Sequence, residues 1–232
     1  MLPRFIGHRG IMGYALENTI SSFTLAKVLG IKCVEFDVKK TKDNKLIIFH
    51  DETLDRLCGS NRRIADMNLV DILKISLPYK NDFYKIPIWE ETITTLGTLG
   101  LQANIEIKPC PGTDVILAEL VAKSITRYWP GSLLPPLISS FSIEALETCR
   151  YINPLLKLGY LMDEIPNDLA SIIKKTNCQT LHVHETILTQ DNIKMLLAYK
   201  LPLVAYTVNC RKRSGELFEK GISSIVTDNL FI

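Results

Sequence analysis

Two apolar runs joined by a polar turn decide the fold of this chain. They are Ile31-Lys-Cys-Val-Glu-Phe-Asp-Val38 and, after the turn Lys42-Asp-Asn-Lys45, the run Leu46-Ile-Ile-Phe-His50. Side chains alternate between the faces of a strand, so Glu35 and Asp37 point the same way and can hold one hard cation or one phosphate. A hairpin centred on Asp43 pairs positions whose numbers sum to about 86, which places His50 beside the acids. An isolated Glu-x-Asp is more often a solvated strand end, but the returning histidine favours a functional site.

The composition is that of a folded protein with no electrostatic footprint for nucleic acid. The chain has 232 residues, 47% of them hydrophobic, and a formal net charge of +2 from 27 basic and 25 acidic residues. This length can bury a large core, in one α/β domain or in two small ones. Lysine and arginine are scattered, so the sequence predicts no nucleic-acid partner, whereas a phosphate-sized anion is a suitable ligand.

The sequence also bears on the compartment. The first residues, Met1-Leu-Pro-Arg-Phe-Ile-Gly-His8, lack the features of a signal peptide, and no apolar run approaches the ~20 residues that span a bilayer. Six cysteines lie far apart without a Cys-x-x-Cys pair, which disfavours both a zinc site and a disulfide framework. We therefore expect a cytoplasmic protein with free cysteines and no stable membrane insertion, whose oligomeric state is left open.

Apolar runs typical of strands alternate with amphipathic helices along the chain. Eight strands are predicted, over residues 4–8, 31–38, 103–108, 136–140, 155–161, 180–184, 203–208 and 223–227. Asn18 is expected to cap the first helix and Gly30 to end it. The arm over 46–50 turns straight back, so it forms a hairpin rather than a parallel strand. Residues 52–88 interrupt the alternation and predict a small inserted lobe, with a short helix over 69–73 and a polar loop over 79–85.

Eight such units in this length predict a (β/α)8 TIM barrel with a β-hairpin after strand 2. A doubly wound open sheet is the alternative, because a strand count from pattern alone is easily wrong by one. Catalytic groups of a barrel lie at the carboxyl ends of its strands. Polar residues fall at those ends in this chain: His8, Arg9, Glu35, Asp37, Glu106, Lys108, His182, His184, Thr207, Asn209 and Asp228. Asp228 is expected to hold Arg9 or a neighbouring loop.

Glu106 and Lys108 share the inward face of their strand, where an acid and an amine are costly unless they are paired or ligating. One interpretation is a buried ion pair that braces the barrel. The other makes Glu106 a third oxygen ligand beside Glu35 and Asp37, with Lys108 facing a substrate anion. Three carboxylates suit Mg²⁺ or Ca²⁺ better than zinc.

Other residues are candidates for the wall of the pocket. His182 and His184 have the spacing of two ligands on one strand face, but no third neighbour supports a metal role, and either one could line the pocket instead. Phe141, Trp89 and Tyr206 would supply an apolar wall, although an aromatic residue at a strand end is more often core or rim packing.

Short motifs follow one another along the whole chain. They are Gly7-His-Arg-Gly10, Glu17-Asn-Thr19, Glu35-x-Asp37-Val38, Thr41-Lys-Asp43, Phe49-His-Asp51, Glu106-Ile-Lys108, Thr207-Val-Asn209 and Thr227-Asp228. In content and order they resemble the motifs of the glycerophosphodiester phosphodiesterases. The sequence departs from the family pattern at three places. Tyr206 stands in place of a frequent Trp, an Asp-Asn turn replaces Asp-Gly, and Arg56-Leu-Cys-Gly59 replaces an Arg-Thr-Thr-like run. They bear on substrate preference more than on activity.

The resemblance implies an enzyme that hydrolyses glycerophosphodiesters, for example glycerophosphocholine and glycerophosphoethanolamine, to sn-glycerol 3-phosphate and an alcohol. We expect one barrel domain over residues 1–232. The implied roles are acid–base catalysis by His8 and His50, phosphate binding by Arg9 and Lys108, and ligation of Mg²⁺ or Ca²⁺ by Glu35, Asp37 and Glu106. Phe141, His182 and Tyr206 complete the expected substrate contacts.

The chemistry of a phosphodiester favours the same groups. Its negative charge repels nucleophiles, so a cation together with Arg9 and Lys108 would neutralise the charge that develops. The glycerol 2-hydroxyl is the expected nucleophile, with one histidine as base and the other as acid, through a cyclic phosphate. Two alternatives are a sphingomyelinase-D-like lipid phosphodiesterase, which would usually carry a secretion signal and a cysteine-bridged loop, and an inactive barrel that only binds phosphoglycerol.

Overall fold

A ring of parallel strands surrounded by helices forms the body of the protein. The structure is a computed structural model that describes residues 2–230. The strands are β1 Phe5–Gly7, β2 Cys33–Lys40, β3 Leu46–Ile48, β4 Thr53–Leu54, β5 Ser60–Arg63, β6 Leu77–Tyr79, β7 Asp82–Tyr84, β8 Gln102–Ile107, β9 Leu137–Ser140, β10 Lys157–Met162, β11 Thr180–His184, β12 Leu203–Tyr206 and β13 Ser224–Thr227. The α-helices are α1 Ile20–Val28, α2 Asp55–Cys58, α3 Leu69–Ile72, α4 Trp89–Leu99, α5 Asp114–Tyr128, α6 Ile143–Ile152, α7 Leu169–Thr176, α8 Gln190–Leu197 and α9 Arg211–Glu219.

The strand order closes on itself. The sheet runs β1-β13-β12-β11-β10-β9-β8-β2-β3, and Gly7 of β1 also pairs with Val34 of β2. Eight strands are mutually parallel, and β3 is added antiparallel to β2. The prediction of a (β/α)8 barrel is confirmed, and the doubly wound open sheet is wrong. The hairpin has the predicted register, because Val38 lies opposite Ile48.

Alternation along the strands separates the core from the site. Val34, Phe36 and Val38 are fully buried in the main core, which lies between the strands and the helices. Glu35 and Asp37 therefore point to the inside of the barrel. Among residues 2–230, no helix has the length and apolarity needed to cross a bilayer.

The lobe over 52–88 has more regular structure than the sequence predicts. The predicted helix is present as α3, but the predicted polar loop over 79–85 is wrong, because β6 and β7 form an antiparallel hairpin there with Lys80 at a φ of 54°. Leu54, Ile64 and Ile72 form a second apolar cluster that packs on Ile47 of β3. The lobe is thereby anchored on the hairpin that carries His50. Residues 1, 231 and 232 of the predicted domain lie outside the described residues.

The start of α1 differs from the prediction. Thr19 is the N-cap, with its hydroxyl accepting a hydrogen bond from the Ser22 amide. Asn18 takes a φ of 54° and donates its side-chain amide to Asp37 Oδ2 at 2.8 Å. A residue expected to cap the helix is therefore part of the polar network at the end of β2. The helix ends before Gly30, as predicted, with Gly30 at a φ of 87°.

Candidate active site

Three carboxylates meet at the carboxyl ends of β2 and β8. Glu35, Asp37 and Glu106 each offer an oxygen atom, and these atoms lie within 4.8 Å of one another. The parallel register brings them together, because Asp37 is the direct partner of Glu106. We refer to these three residues as the acidic cluster. The expectation that Glu106 shares a face with the two acids of β2 is confirmed.

The charge of the acidic cluster is poorly balanced by the protein itself. Burial and the neighbouring Asp37 and Glu106 raise the pKa of Glu35 well above its ordinary value. Burial and Asp37 also raise the pKa of Glu106, although Lys108 opposes the shift. The buried Glu35 Oε1 has no hydrogen-bond partner among the described residues. An oxygen-only donor set with one unsatisfied carboxylate oxygen fits a hard divalent cation such as Mg²⁺ or Ca²⁺.

Arg9 and Lys108 flank the acidic cluster with positive charge. The Arg9 side chain approaches Asp37 at 3.4 Å through Nε, and its backbone N–H donates to Glu35 Oε2 at 2.9 Å. Lys108 Nζ donates to Glu106 Oε1 at 2.8 Å and lies 3.9 Å from Asp37. Burial would raise the pKa of Asp37, but Arg9 and other nearby cationic groups outweigh it, and that pKa is lowered. The ion pair of Glu106 with Lys108 is present, and Glu106 is at the same time a member of the acidic cluster.

The backbone of the loop that carries Arg9 packs closely against Ser22 of α1. Arg9 has a φ of 48° and Gly10 a φ of 90°. A Cβ atom at Gly10 would lie 2.2 Å from the Ser22 hydroxyl, which itself donates to the Arg9 carbonyl. A side chain at position 10 would therefore displace the loop that aims Arg9 at the site.

Two histidines are held in the same way by carboxylates. His8 donates Nδ1–H to Asp228 Oδ1 at 2.6 Å, and His50 donates Nδ1–H to Asp51 Oδ1 at 2.6 Å. Each bond fixes the tautomer and leaves Nε2 free to exchange a proton. Nε2 of His8 lies 3.9 Å from Glu35 Oε2. Burial lowers the pKa of His50, with Asp37 opposing the shift, so the neutral imidazole predominates near pH 7.

A second layer of charged residues holds these groups, and their contacts could not be predicted from the sequence. Arg56, from the lobe, donates Nε–H to Asp51 at 2.7 Å and its two terminal nitrogens to Glu17 at 2.6 and 2.7 Å. Glu17 also accepts a 2.7 Å bond from Arg9. Arg56 thus bridges the support of His50 and the support of Arg9. Glu17 and Asp51 are members of the sequence motifs and Arg56 lies in a run that departs from the family pattern, but nothing in the sequence indicated that the three side chains meet.

The side chain of Asp228, just after β13, has two hydrogen-bond partners. Asn209, in the loop after β12, donates to it at 2.5 Å, so the expectation that Asp228 holds a neighbouring loop is confirmed. Among the described residues, Asp228 makes no hydrogen bond or salt bridge with Arg9. Its bond to His8 was not predicted, because the pairing joins the two ends of the sequence.

Aromatic rings form one side of the site. Phe141 and Tyr206 make an edge-to-face contact with centroids 6.1 Å apart, and His184 contacts Tyr206 at 5.4 Å. Lys108 Nζ lies 5.6 Å from the centre of the Phe141 ring. Phe141 and Tyr206 therefore lie beside the cationic edge of the acidic cluster. Trp89 is not part of this wall, because it is buried in the main core at the start of α4.

His182 does not reach the open end of the barrel. Its side chain is 1% exposed, and its Nε2 is hydrogen-bonded at 3.0 Å to the Thr180 hydroxyl, two residues earlier on β11. Burial lowers its pKa to about 3. An enclosed ring directed toward the start of its strand offers no surface to a substrate, so the structure does not support the expected substrate contact. A metal role for His182 with His184 is not supported either, because the acidic cluster is the one group of three or more possible ligands found in residues 2–230.

Comparison with known proteins identifies the family of this chain. The family model of the glycerophosphoryl diester phosphodiesterase family matches residues 8–231. A glycerophosphodiester phosphodiesterase of Bacillus subtilis is 29% identical, over 96% of this chain and 82% of the relative. One from Caldanaerobacter subterraneus is 28% identical, over 97% and 93%.

Solved structures include relatives with the same architecture. An Oleispira antarctica phosphodiesterase, solved in complex with its product sn-glycerol-3-phosphate, superimposes with a TM-score of 0.91 at 28% identity, covering 98% of this chain and 93% of that one. A Silicibacter pomeroyi structure at 21% identity, with a TM-score of 0.86 and coverage of 98% and 90%, shares the fold. The chain therefore belongs to the glycerophosphoryl diester phosphodiesterase family, and it is an enzyme of that type.

Proposed function

We propose that the enzyme hydrolyses glycerophosphodiesters, such as glycerophosphocholine and glycerophosphoethanolamine, to sn-glycerol 3-phosphate and an alcohol, and that it requires Mg²⁺ or Ca²⁺. The observation that carries the proposal is the acidic cluster with its unpartnered Glu35 oxygen, set beside two histidines that are each anchored by an aspartate. The product complex of the Oleispira antarctica relative supports the glycerol phosphate half of the substrate.

The protein groups divide into those that hold the phosphate and those that move protons. Glu35, Asp37 and Glu106 would hold the cation, which supplies Lewis-acid stabilisation of charge on a phosphoryl oxygen. Arg9 and Lys108 would bind the remaining phosphate oxygens, because salt bridges to neighbouring carboxylates hold both side chains beside the acidic cluster. Together these groups would favour the transition state over the ground state because charge builds up on the phosphoryl oxygens during displacement.

The histidines would act as base and acid in an in-line displacement. The lowered pKa of His50 favours it as the acceptor of the proton from the glycerol 2-hydroxyl, and His8 would then protonate the leaving alkoxide. Attack by the adjacent hydroxyl forms a cyclic 1,2-phosphate and breaks the bond to the alcohol. Water opens the ring in a second step with the two roles exchanged. Phe141 and Tyr206 would contact the alcohol, on the aromatic side of the site.

A product assay tests the proposed reaction. We expect purified protein with saturating Mg²⁺ or Ca²⁺ to release sn-glycerol 3-phosphate from glycerophosphocholine or glycerophosphoethanolamine. His50→Ala, purified in the same way, controls for a contaminating hydrolase. Absence of sn-glycerol 3-phosphate from both substrates would refute the substrate class.

The internal nucleophile has a separate test. A 2-deoxy analogue of glycerophosphocholine keeps the phosphate that Arg9, Lys108 and the cation would bind, but it lacks the attacking hydroxyl. Single-turnover experiments should show that it binds and is not cleaved. Cleavage at a rate comparable to that of glycerophosphocholine would rule out the cyclic phosphate and indicate direct attack by water.

The cysteines support a cytoplasmic location, which we propose on this basis. All six are free in the structure, and four of them are buried. Unpaired thiols in this number are typical of proteins that stay in a reducing compartment.

A further inference from the structure

The end of the barrel opposite the acidic cluster has a distinct surface. In a parallel barrel the loops that lead from each helix into the next strand all lie at this end. We call this surface the N-terminal face and define it by residues 2–4, 27–32, 100–102, 127–136, 151–157, 174–179, 198–202 and 219–223. It is the end of the molecule that takes no part in the proposed reaction.

Charge on the N-terminal face is strongly one-sided. It carries one acidic residue, Glu219, and nine exposed basic residues: Arg4, Lys27, Lys32, Arg127, Lys157, Lys174, Lys175, Lys200 and Lys220. The whole chain, by contrast, has 27 basic and 25 acidic residues. In the described chain, none of the nine lies within 4.0 Å of a carboxylate. The face therefore presents cations whose charge is not neutralised by neighbours.

Helix dipoles explain only part of this pattern. Lys27, Arg127, Lys174 and Lys175 are in the last turns of helices, where a positive charge stabilises the dipole. Lys32 and Lys157 instead lie at the starts of strands, whose dipoles are small. Helix dipoles therefore do not account for the position of these two lysines on the face.

Large apolar side chains are exposed among these cations. Tyr151 is 89% exposed, Leu155 is 88% exposed and Val28 is 75% exposed. Leu29, Tyr128 and Leu134 on the same face are also exposed. Scattered apolar residues on a surface are ordinary, but six within one basic face form a mixed patch of the kind that marks an interaction site.

A cavity opens between the same loops. Its volume is about 370 Å³, and apolar side chains such as Leu134 and Val204 line it together with Arg4 and Lys157. Ser224 also lines it, and the Ser224 hydroxyl is buried without a hydrogen-bond partner among the described residues. The N-terminal face thus combines cations, protruding apolar side chains and an apolar recess.

We propose that the N-terminal face binds peripherally to an anionic lipid bilayer surface, with the catalytic end directed away from it into the aqueous phase. Each lysine or arginine near such a surface is attracted by the anionic headgroups, and apolar side chains that enter the headgroup region add affinity. A nucleic acid would use the cations, but it would leave Val28, Tyr151 and Leu155 without an apolar environment. The lipid surface is the partner that uses both kinds of side chain.

Sedimentation with vesicles tests the proposal. The 232-residue chain is mixed with phosphatidylcholine vesicles, or with phosphatidylcholine vesicles that contain phosphatidylglycerol, at about 0.1 M and about 0.5 M salt. We expect binding only to the anionic vesicles and release at the higher salt. Lys32→Glu with Lys157→Glu should weaken binding at least about tenfold, since each reversal replaces attraction by repulsion. Leu155→Ser should also weaken binding to the anionic vesicles at the lower salt concentration, because it removes an apolar side chain that is 88% exposed on this face.

Matched variants at the other end and on the lobe control for charge and hydrophobicity. Lys42→Glu with Lys45→Glu changes the net charge equally at exposed positions of the β2–β3 turn, and Phe83→Ser removes a side chain that is 76% exposed on the lobe. Both should bind vesicles as the wild type does, and all variants should keep the wild-type unfolding temperature. The proposal would be overturned if the protein bound neutral vesicles as well as anionic ones, or failed to bind anionic vesicles at low salt. It would also be overturned if the control variants lost as much binding as the test variants, or if the protein bound double-stranded DNA more tightly than anionic vesicles.

Discussion

We expect the free energy of unfolding of His182→Gln to fall much less in mild acid than that of the wild type. The ring is buried inside the barrel, and burial lowers its pKa to about 3, against an ordinary value of about 6.5. As the pH falls below about 6.5, the unfolded chain binds a proton at this position and the folded chain does not. The unfolded state is thereby favoured, and stability is lost progressively as the pH falls toward the folded pKa.

The size of this effect follows from the separation of the two pKa values. One pKa unit corresponds to about 1.4 kcal/mol, so about 1.5 units between pH 6.5 and pH 5 correspond to about 2 kcal/mol of the free energy of unfolding. Carboxylates also titrate in this range, but their contribution is the same in wild type and variant. The difference between the two pH dependences isolates the histidine.

Urea unfolding at about pH 7.5 and about pH 5 measures the effect. The wild type should lose about 2 kcal/mol more than His182→Gln between these two conditions. His184→Gln, which removes the half-buried imidazole at the end of the same strand, is the matched control. Equal losses in wild type and His182→Gln would refute the inference that His182 stays neutral in the folded barrel.

Three further predictions concern the site and the barrel interior. His8→Ala and His50→Ala should each lower kcat at least ~10²-fold with little change in KM, since both act on proton transfer, and near-normal kcat in steady-state assays would make that histidine structural. Arg56→Met should lower kcat about tenfold, because it releases Glu17 and Asp51 from their hydrogen bonds. Arg63→Met is the control and should leave kcat unchanged, because the nearest carboxylate to Arg63 is 3.9 Å away. Equal kcat values for the two variants would exclude a positioning role for Arg56. Gly159→Ala should lower the free energy of unfolding by about 1–3 kcal/mol, because a Cβ atom at position 159 would lie 2.6 Å from His182 Nε2. Gly131→Ala is the control, since a Cβ atom there meets nothing within 4 Å. Equal stabilities of the two variants in urea unfolding would contradict the prediction.

The acidic cluster could be predicted from the sequence because two simple rules determine it. Alternation puts Glu35 and Asp37 on the inner face of β2, and the parallel neighbour β8 brings Glu106 to the same height. His50 followed from the hairpin register, which depends only on the length of the turn.

The position of an inward-facing residue along the barrel axis could not be predicted from the sequence. Thr180, His182 and His184 share one face of β11, but alternation gives the face of a residue and not its height along the barrel axis. Only His184, at the end of the strand, reaches the aromatic side of the site. The ring of His182 fills the space that Gly159 leaves on the adjacent strand.

The supporting charges escaped prediction for a different reason. Arg56 lies in the lobe over 52–88, where no periodic pattern fixes the direction of a side chain. Asp228 reaches His8 only because the last strand closes the barrel against the first. Contacts of this kind depend on the closed fold and have no local signal.

The dependence of the reaction on a divalent cation tests the central claim most directly. Release of sn-glycerol 3-phosphate from glycerophosphocholine is measured after treatment with excess EDTA, and again after Mg²⁺ or Ca²⁺ is added back, while circular dichroism monitors the fold. We predict that EDTA abolishes turnover without unfolding the protein and that one of the two cations restores it. Full activity of the folded enzyme in excess EDTA would contradict the claim that Glu35, Asp37 and Glu106 hold a catalytic cation.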